Sequence, residues 1–563
     1  MHADTCFADR IRDMGSMLST ESEPRSAFDQ VMEPLSVVAA SFADVDCENV
    51  TLLAWRPALE PYAFALTIPA PGQPSHLRER GLELLMARAV TIACAIVGTS
   101  RLSVVCEHDA TFEALNASFG AHPHVTSHLK QYGSEFELRR AQAGDIPETM
   151  RALPFAAAPS KLAGHTVTDP AAVEIYVGVD YGRSDVKCAA VDASGREVAT
   201  YVTRWWRAPG LASSAWADEQ SREYVDPASL ETIEAPLRCL GEAAIEVVRL
   251  AAVALGGGAA EGDGQPGAPP PTVRVCGLGL SAAGCVLDGH ICGVPPAFGG
   301  CSAAAAAPVL GQLENEVVDY VMAQLSARLA GWAGGSVAPS APTLLVNDGD
   351  ASAMWGARTL AARGGSDAVG LFLSCGTGLA GGIVRGSGER CVGGVFEMGK
   401  VVVGLPSLSS AAVGANGQRL PQHDTLHVPG TAQGLSGTQR AFFNLLEARG
   451  GQRVEGKAEQ RRAIVAMQAR PLDAEVRAIF EQLGGALALF VAELSAYLPF
   501  AITHVEAGGK LTDAASGEVM MQSAARRLAP QGVDVARASD SEFGQALAMA
   551  ESVRGGGSRA AGA

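Results

Sequence analysis

The sequence predicts an α/β protein with two lobes in residues 173–555 and a further α/β region ahead of them. Three observations carry that expectation. At 563 residues the chain exceeds what one hydrophobic core can organise. From residue 173 onward, short apolar strands alternate with stretches of helical periodicity. Two of the apolar strands end in glycine-bearing turns, Asp180-Tyr-Gly182-Arg-Ser184 and Gly376-Thr377-Gly378, and a strand between them ends in Asn347-Asp348.

Taken in order, the N-terminal region reads as strands over 50–55 and 62–68, a helix over 77–97 and a strand over 102–106. The greasy stretch 82–97 contains Glu83 and Arg88 and is short for a membrane span, so a buried helix is expected. Alanine, proline, serine and glycine replace the periodic pattern across 154–169. Strands over 173–179, 186–191 and 198–204 then form a β-meander. A strand over 273–280, a helix over 314–330, a strand over 343–346 and a helix over 351–363 follow. Strands over 369–374 and 381–385 make a hairpin, helices fill much of 436–500, and 502–506 is a last strand. The expected division is a region of unknown role at 1–150, a linker at 151–172, a first lobe at 173–340 with a low-complexity loop at 256–271, a second lobe at 341–555 and a tail at 556–563.

Composition excludes several function classes. Charged residues are 18% and hydrophobic ones 48%, which is globular rather than disordered chain. A net charge of −17 opposes nonspecific binding to nucleic acid or to an anionic membrane surface. The first residues carry an early acid and no apolar segment, so a cytoplasmic location is expected. The twelve cysteines include no Cys-x-x-Cys, and buried thiols are expected of most of them. Cys285, Cys292 and Cys301 lack the paired spacing of a metal site.

The chemistry concentrates at five places. Glycine at Gly182, Gly376 and Gly378 lets backbone approach phosphate closely, and Ser184 and Thr377 add hydroxyl donors. Asp180 cannot meet phosphate directly but can hold Mg²⁺ through water. Asn347-Asp348 lies where a strand ends and a helix opens, the edge that ligands favour in open α/β sheets; a carboxylate there accepts the proton of an attacking hydroxyl. An N-cap is the competing reading of the pair. Glu397-Met-Gly-Lys400 offers a carboxylate to sugar hydroxyls, and Gly508-Gly509 after a strand lets an adenine or ribose lie against the backbone.

In this order the motifs resemble those of the sugar kinases of the actin-like ATPase superfamily, and most closely the ROK group, which holds bacterial glucokinases, N-acetylmannosamine kinases and some repressors. The resemblance covers roughly 173–555. It implies a two-lobed, ribonuclease H-like kinase core with a cleft, ATP and Mg²⁺ as cofactors, and Asp348 as the base. Nucleotide contacts would come from Asp180, Gly182, Ser184, Gly376, Thr377, Gly378, Gly508 and Gly509. Acceptor contacts would come from Asn347, Glu397, Lys400 and Gly284, the last in the Leu280-Ser-Ala-Ala-Gly284 segment. The partner is a small sugar-like molecule, with a homodimer as the expected assembly. Two departures stand out. Lys400 occupies the place where the group carries a histidine that binds sugar and zinc, and the group's zinc knuckle is missing, so no structural zinc is expected. Lys400 then either meets an unusual or anionic acceptor or faces solvent. A sugar or nucleotide sensor without catalysis, and a kinase of a carboxylic acid or polyol, are the alternatives on the same fold.

Overall fold

The computed structural model describes residues 32–55, 61–99, 101–120, 122, 125, 136–146, 153–156, 172–182, 185–204, 234–256, 272–284, 286–287, 290–291, 317–332, 334–338, 341–376, 378–392, 394–406, 430–448, 454, 457–468, 472–538 and 542–555. Contacts divide the chain into two units. One comprises 1–154, 367–381 and 391–539, and the other 155–366, 382–390 and 540–563. This corrects the expected division in two places. The N-terminal region is not a body apart, because its contacts join it to 367–381 and 391–539 in one unit. Residues 340/341 are not a boundary, because the strand that follows hydrogen-bonds to the sheet that precedes it.

In the N-terminal region the alternating pattern gives β1 (Cys47–Trp55), β2 (Tyr62–Pro69), β3 (Arg101–Cys106) and β4 (Glu137–Ala141). Their order is β2-β1-β3-β4, with β4 parallel to β3. The expected helix over 77–97 is α1 (Ser75–Thr91), which widens into a π-helical turn, Ile92–Ile96. The stretch is buried as its composition implied: Leu85, Val90 and Ile96 are fully covered. α2 (Asp109–Phe119) is tied to β1 through buried Glu48, which accepts hydrogen bonds from Arg78, Thr111 and the His108 amide.

The second unit is built on a meander. β5 (Val173–Tyr181), β6 (Asp185–Asp192) and β7 (Glu197–Arg204) pair antiparallel in sequence, as read. β8 (Val273–Ala282) lies parallel to the other edge of β5, and β9 (Thr343–Asn347) parallel to β8. Alternation along β5 sends Ile175, Val177, Val179 and Tyr181 into one core with α3 (Glu234–Gly256) and α4 (Val317–Ala330). On the other face stands Tyr176, under α5 (Asp348–Gly364) and the C-terminal helix Gly544–Gly555. That face has a glycine floor. A Cβ on Gly178 would stand 1.8 Å from the Ala546 carbonyl oxygen, and one on Gly279 would stand 2.5 Å from that of Met549. The C-terminal helix therefore rests on bare backbone. Any side chain at either position would push it off.

The remainder of the first unit is a parallel sheet with helices. β10 (Val369–Cys375), β12 (His504–Gly508) and β13 (Asp534–Arg537) are parallel neighbours, and β11 (Leu379–Arg385) follows β10 through three residues and lies on its other edge. The strand order β6-β5-β8-β9 in one unit thus recurs as β11-β10-β12-β13 in the other: a hairpin first, then two parallel strands on the far side. That duplicated order is a ribonuclease H-like arrangement. Helices α6 (Gln439–Ala448), α7 (Ala474–Ser495) and α8 (Ala514–Leu528) follow in the first unit. Among the described residues α7 alone is long and apolar enough to cross a membrane, but 72% of its apolar window is buried, the signature of a core helix. Its Glu493 receives Arg88 of α1 at 2.9 Å and the Ser36 amide at 2.7 Å, with both charged side chains almost wholly buried. Arg88 also stacks 4.9 Å from the centre of the Tyr497 ring.

Candidate active site

Three parallel strands of the second unit end in register. Asp180 stands beside Ser281, and Ala282 beside Asn347, so β5, β8 and β9 present Asp180, Ser281, Asn347 and then Asp348 along one carboxyl edge. Two strand spacings separate β5 from β9, about 10 Å. Asp180 is 6% exposed and accepts a hydrogen bond from Ser281 Oγ at 2.9 Å. Burial pushes its carboxyl up to about 6, against the opposing pull of Lys187 and the Ser281 bond. Lys187 stands directly across from it on β6. Gly182 donates its amide to the Asp185 carbonyl at 3.0 Å, closing the turn. Ser184 lies outside the described residues.

Asn347, not Asp348, is the cap of α5. Its Oδ1 accepts from the Gly349 amide at 2.7 Å, and its Nδ2 donates to the Gly284 carbonyl. Gly284 reaches that position with φ +126°, a conformation that favours glycine. Both ends of the Asn347 amide are therefore engaged within the protein, and it fixes where the helix begins. Asp348 occupies the first helical position and is half-buried. Its Oδ1 accepts from the Gly349 amide at 2.9 Å, while its carbonyl takes hydrogen bonds from Ser352 Oγ at 3.0 Å and Gln545 Nε2 at 3.1 Å. Asp350 has a structural task beyond the helix dipole, an ion pair with Arg390 at 2.8 Å. Burial still holds its carboxyl above the usual range, and Arg390 opposes that.

In the first unit, β10 and β12 also end side by side, with Ser374 beside Gly508. Gly376 and Gly378 have open space where a Cβ would be, and the Gly376 amide bonds across the turn to the Gly378 carbonyl at 3.1 Å. Thr377 lies outside the described residues. Gly509, with φ +101°, runs its backbone against Cys375; a Cβ there would sit 2.4 Å from the Cys375 carbonyl oxygen. Gly381 and Gly382, farther along the hairpin, open no room for a ligand. Gly381 packs on Phe372 and Leu373, and Gly382 on the Gly349 carbonyl. Glu397 lies just before a short 3₁₀ turn, Met398–Lys400, with Lys400 Nζ 3.8 Å from its Oε2. The Lys400 side chain is 14% exposed.

Sequence reasoning passed over Ser281, Lys187 and Gln545. Ser281 and Lys187 carry a signal only once strand register is known, since each matters for being opposite Asp180. Gln545 lies some 200 positions from the carbonyl it holds, and no local pattern marks it. Cys285, Cys292 and Cys301, Asp288 and Gly289, and Pro123 and His124 of the His-Pro-His turn lie outside the described residues; among the described ones no cluster of three metal-ligating side chains occurs.

The raised carboxyl has a measurable consequence. The folded chain holds the Asp180 proton more tightly than the unfolded chain, whose carboxyl titrates near 3.8. The resulting stability is present below about pH 4 and is lost as pH rises through 6. Asp180→Asn removes that loss. In the unliganded protein it is expected to flatten a decline of about 2–3 kcal/mol between pH 4 and 8. Urea unfolding across that range checks it, and an unchanged slope in the variant would refute the assignment.

No family model matches the chain, and no curated protein matches it. Solved structures similar to it include a ROK hexokinase from Thermus thermophilus, at 19% identity and TM-score 0.40, covering 67% of this chain and 97% of that one. Another is a ROK family glucokinase from Streptomyces griseus in complex with glucose and AMPPNP, at 17% identity and TM-score 0.38, covering 67% and 98%. A third is a ROK family transcriptional regulator, a homolog of the E. coli MLC protein, at 14% identity and TM-score 0.41, covering 68% and 78%. All three TM-scores fall below 0.5, and the fold rests on the strand order described above.

Proposed function

We propose that the protein transfers the terminal phosphoryl group of ATP to a hydroxyl of a sugar or sugar derivative. The observation that most supports this reading is the shared carboxyl edge of β5, β8 and β9, which carries a buried acid, Asp180, and a clamped, half-buried one, Asp348. Open backbone at Gly376 and Gly378, beside Gly508-Gly509, fits a nucleotide's phosphates and ribose. A desolvated carboxyl such as Asp180 fits a hydrated Mg²⁺ held through water, and Mg²⁺ would supply charge neutralisation on the phosphates.

This chain's own residues then do the rest. Asp348 accepts the proton of the attacking hydroxyl. Asn347 sets the start of α5 and thereby the direction of Asp348. Lys187 adds positive charge next to the Asp180 turn. Glu397 accepts hydrogen bonds from acceptor hydroxyls, with Lys400 paired to its carboxylate at 3.8 Å and adding a donor. The nearby lysine in place of a neutral donor favours an acceptor with a negative or strongly accepting substituent.

A panel of neutral sugars, amino sugars and sugar acids, screened by thermal shift with and without ATP·Mg²⁺ and then by ADP release, tests the reading. An acceptor at 100 times its Kd is expected to stabilise by about 2.7 kcal/mol. ADP release that no carbohydrate stimulates would exclude a sugar kinase and leave the sensor reading.

A further inference from the structure

We infer that the N-terminal region is the support that positions Glu397: the end of α1 and its π-helical turn hold the acceptor-binding carboxylate in its conformation. The inference rests on the proposed role of Glu397. The widened turn closes with the Val97 amide on the Ile92 carbonyl at 2.9 Å and the Thr99 amide on the Ala93 carbonyl at 3.0 Å, and Gly98 turns left-handed at φ +68°. The carbonyls of Ala95 and Ile96 then point away from their own helix. They accept the Glu397 amide at 2.8 Å and the Val395 amide at 2.9 Å.

Between those two amides sits Phe396 with φ +44°, a left-handed conformation costly for a bulky side chain. Glu397 itself, at φ −70° and ψ 72°, is the centre of an inverse γ-turn closed by the Met398 amide on the Phe396 carbonyl at 2.8 Å. Such a backbone persists only where its surroundings fix it. Here they do so at close range: a Cβ on Gly98 would lie 2.1 Å from Val395 Cγ1, and one on Gly394 would lie 2.3 Å from the Ile96 carbonyl oxygen. Downstream, the Val402 amide donates to Thr91 Oγ at 3.0 Å in full burial, and the strand Met32–Pro34 pairs with Gly404–Pro406. The segment carrying Glu397 and Lys400 is thus held on both sides by residues 32–98. Thr91, Ala95, Ile96 and Gly98 are positioning residues.

The test compares four variants of the full chain. Thr91→Val removes the acceptor of the Val402 amide at nearly constant volume, and Thr91→Ser restores it. Gly98→Ala drives a methyl into Val395. Leu115→Ala, in the buried face of α2, lowers the stability of the same region away from Glu397. Hydrogen exchange of peptides spanning 394–404 is the first readout and requires no acceptor. Thr91→Val and Gly98→Ala are expected to speed exchange there roughly ten-fold, while Thr91→Ser and Leu115→Ala leave it near the wild-type rate. With an acceptor in hand, the first two variants are expected to raise its KM about ten-fold while the Kd for a nucleotide analogue stays constant. Unchanged exchange over 394–404 in both variants overturns the inference. So does an equal effect from Leu115→Ala, or altered exchange with unaltered acceptor kinetics. If the wild-type protein phosphorylates no acceptor, the sugar-kinase reading falls while the exchange arm still decides whether residues 32–98 fix the Glu397 backbone.

Discussion

Asp348→Asn is expected to lower the turnover number by about 10² to 10⁴ while leaving nucleotide affinity intact. The substitution is close to isosteric and spares everything that fixes the backbone. The Asn347 cap, the Ser352 and Gln545 hydrogen bonds to the Asp348 carbonyl and the Gly284 tie all remain. What changes is the ability of one side chain to take a proton at the mouth of β9. Acceptor-dependent ADP release measures the loss, and calorimetric titration with a non-hydrolysable nucleotide measures the constancy. Wild-type turnover in the variant would remove Asp348 from the chemistry. A loss of nucleotide binding would instead mean that the strand edge had collapsed.

The largest effect on stability is expected at Arg88 and Glu493. The two side chains are almost fully buried, 405 positions apart in sequence, and Glu493 also receives the Ser36 amide. Removing one partner leaves the other charged and stranded in low dielectric, which costs about 3–5 kcal/mol. Arg88→Met or Glu493→Leu alone should therefore lower the urea midpoint of the first unit sharply. The double variant should recover much of the loss, because the desolvation penalty disappears from both sides at once. If the double variant is as unstable as the sum of the singles, the pair is not coupled as the geometry implies.

Much of the fold was legible because its determinants are local. The meander at 173–204 shows a period of two with turn residues between, and the strands that end in Asp180, Asn347 and Cys375 are apolar runs closed by small or polar residues. The helix expected over 351–363 opens three residues earlier, at Asp348. Asn347 turned out to be the cap, which puts Asp348 inside the helix. Register was not legible: it sets Ser281 and Lys187 against Asp180, and it follows from pairing between segments as much as 100 residues apart. What fills the space beside Gly381 and Gly382 is likewise set by tertiary packing. Nor could local pattern reveal that residues 91–98 support Glu397. Those contacts join segments 300 positions apart and run mostly through backbone, which carries no side-chain signature.

The glycine floor under the C-terminal helix bears on how the chain is made. Gly178 and Gly279 leave a bare strip of sheet against which residues 544–555 pack. A ribosome adding about 5–20 residues per second reaches that helix roughly 20–70 s after it has finished β5. Arg88 waits comparably long for Glu493. During translation, then, both units carry an apolar or charged surface whose partner has not yet been synthesised. A nascent chain halted before residue 544 would leave that glycine-lined strip without its helix, a surface that holdase chaperones and self-association compete for.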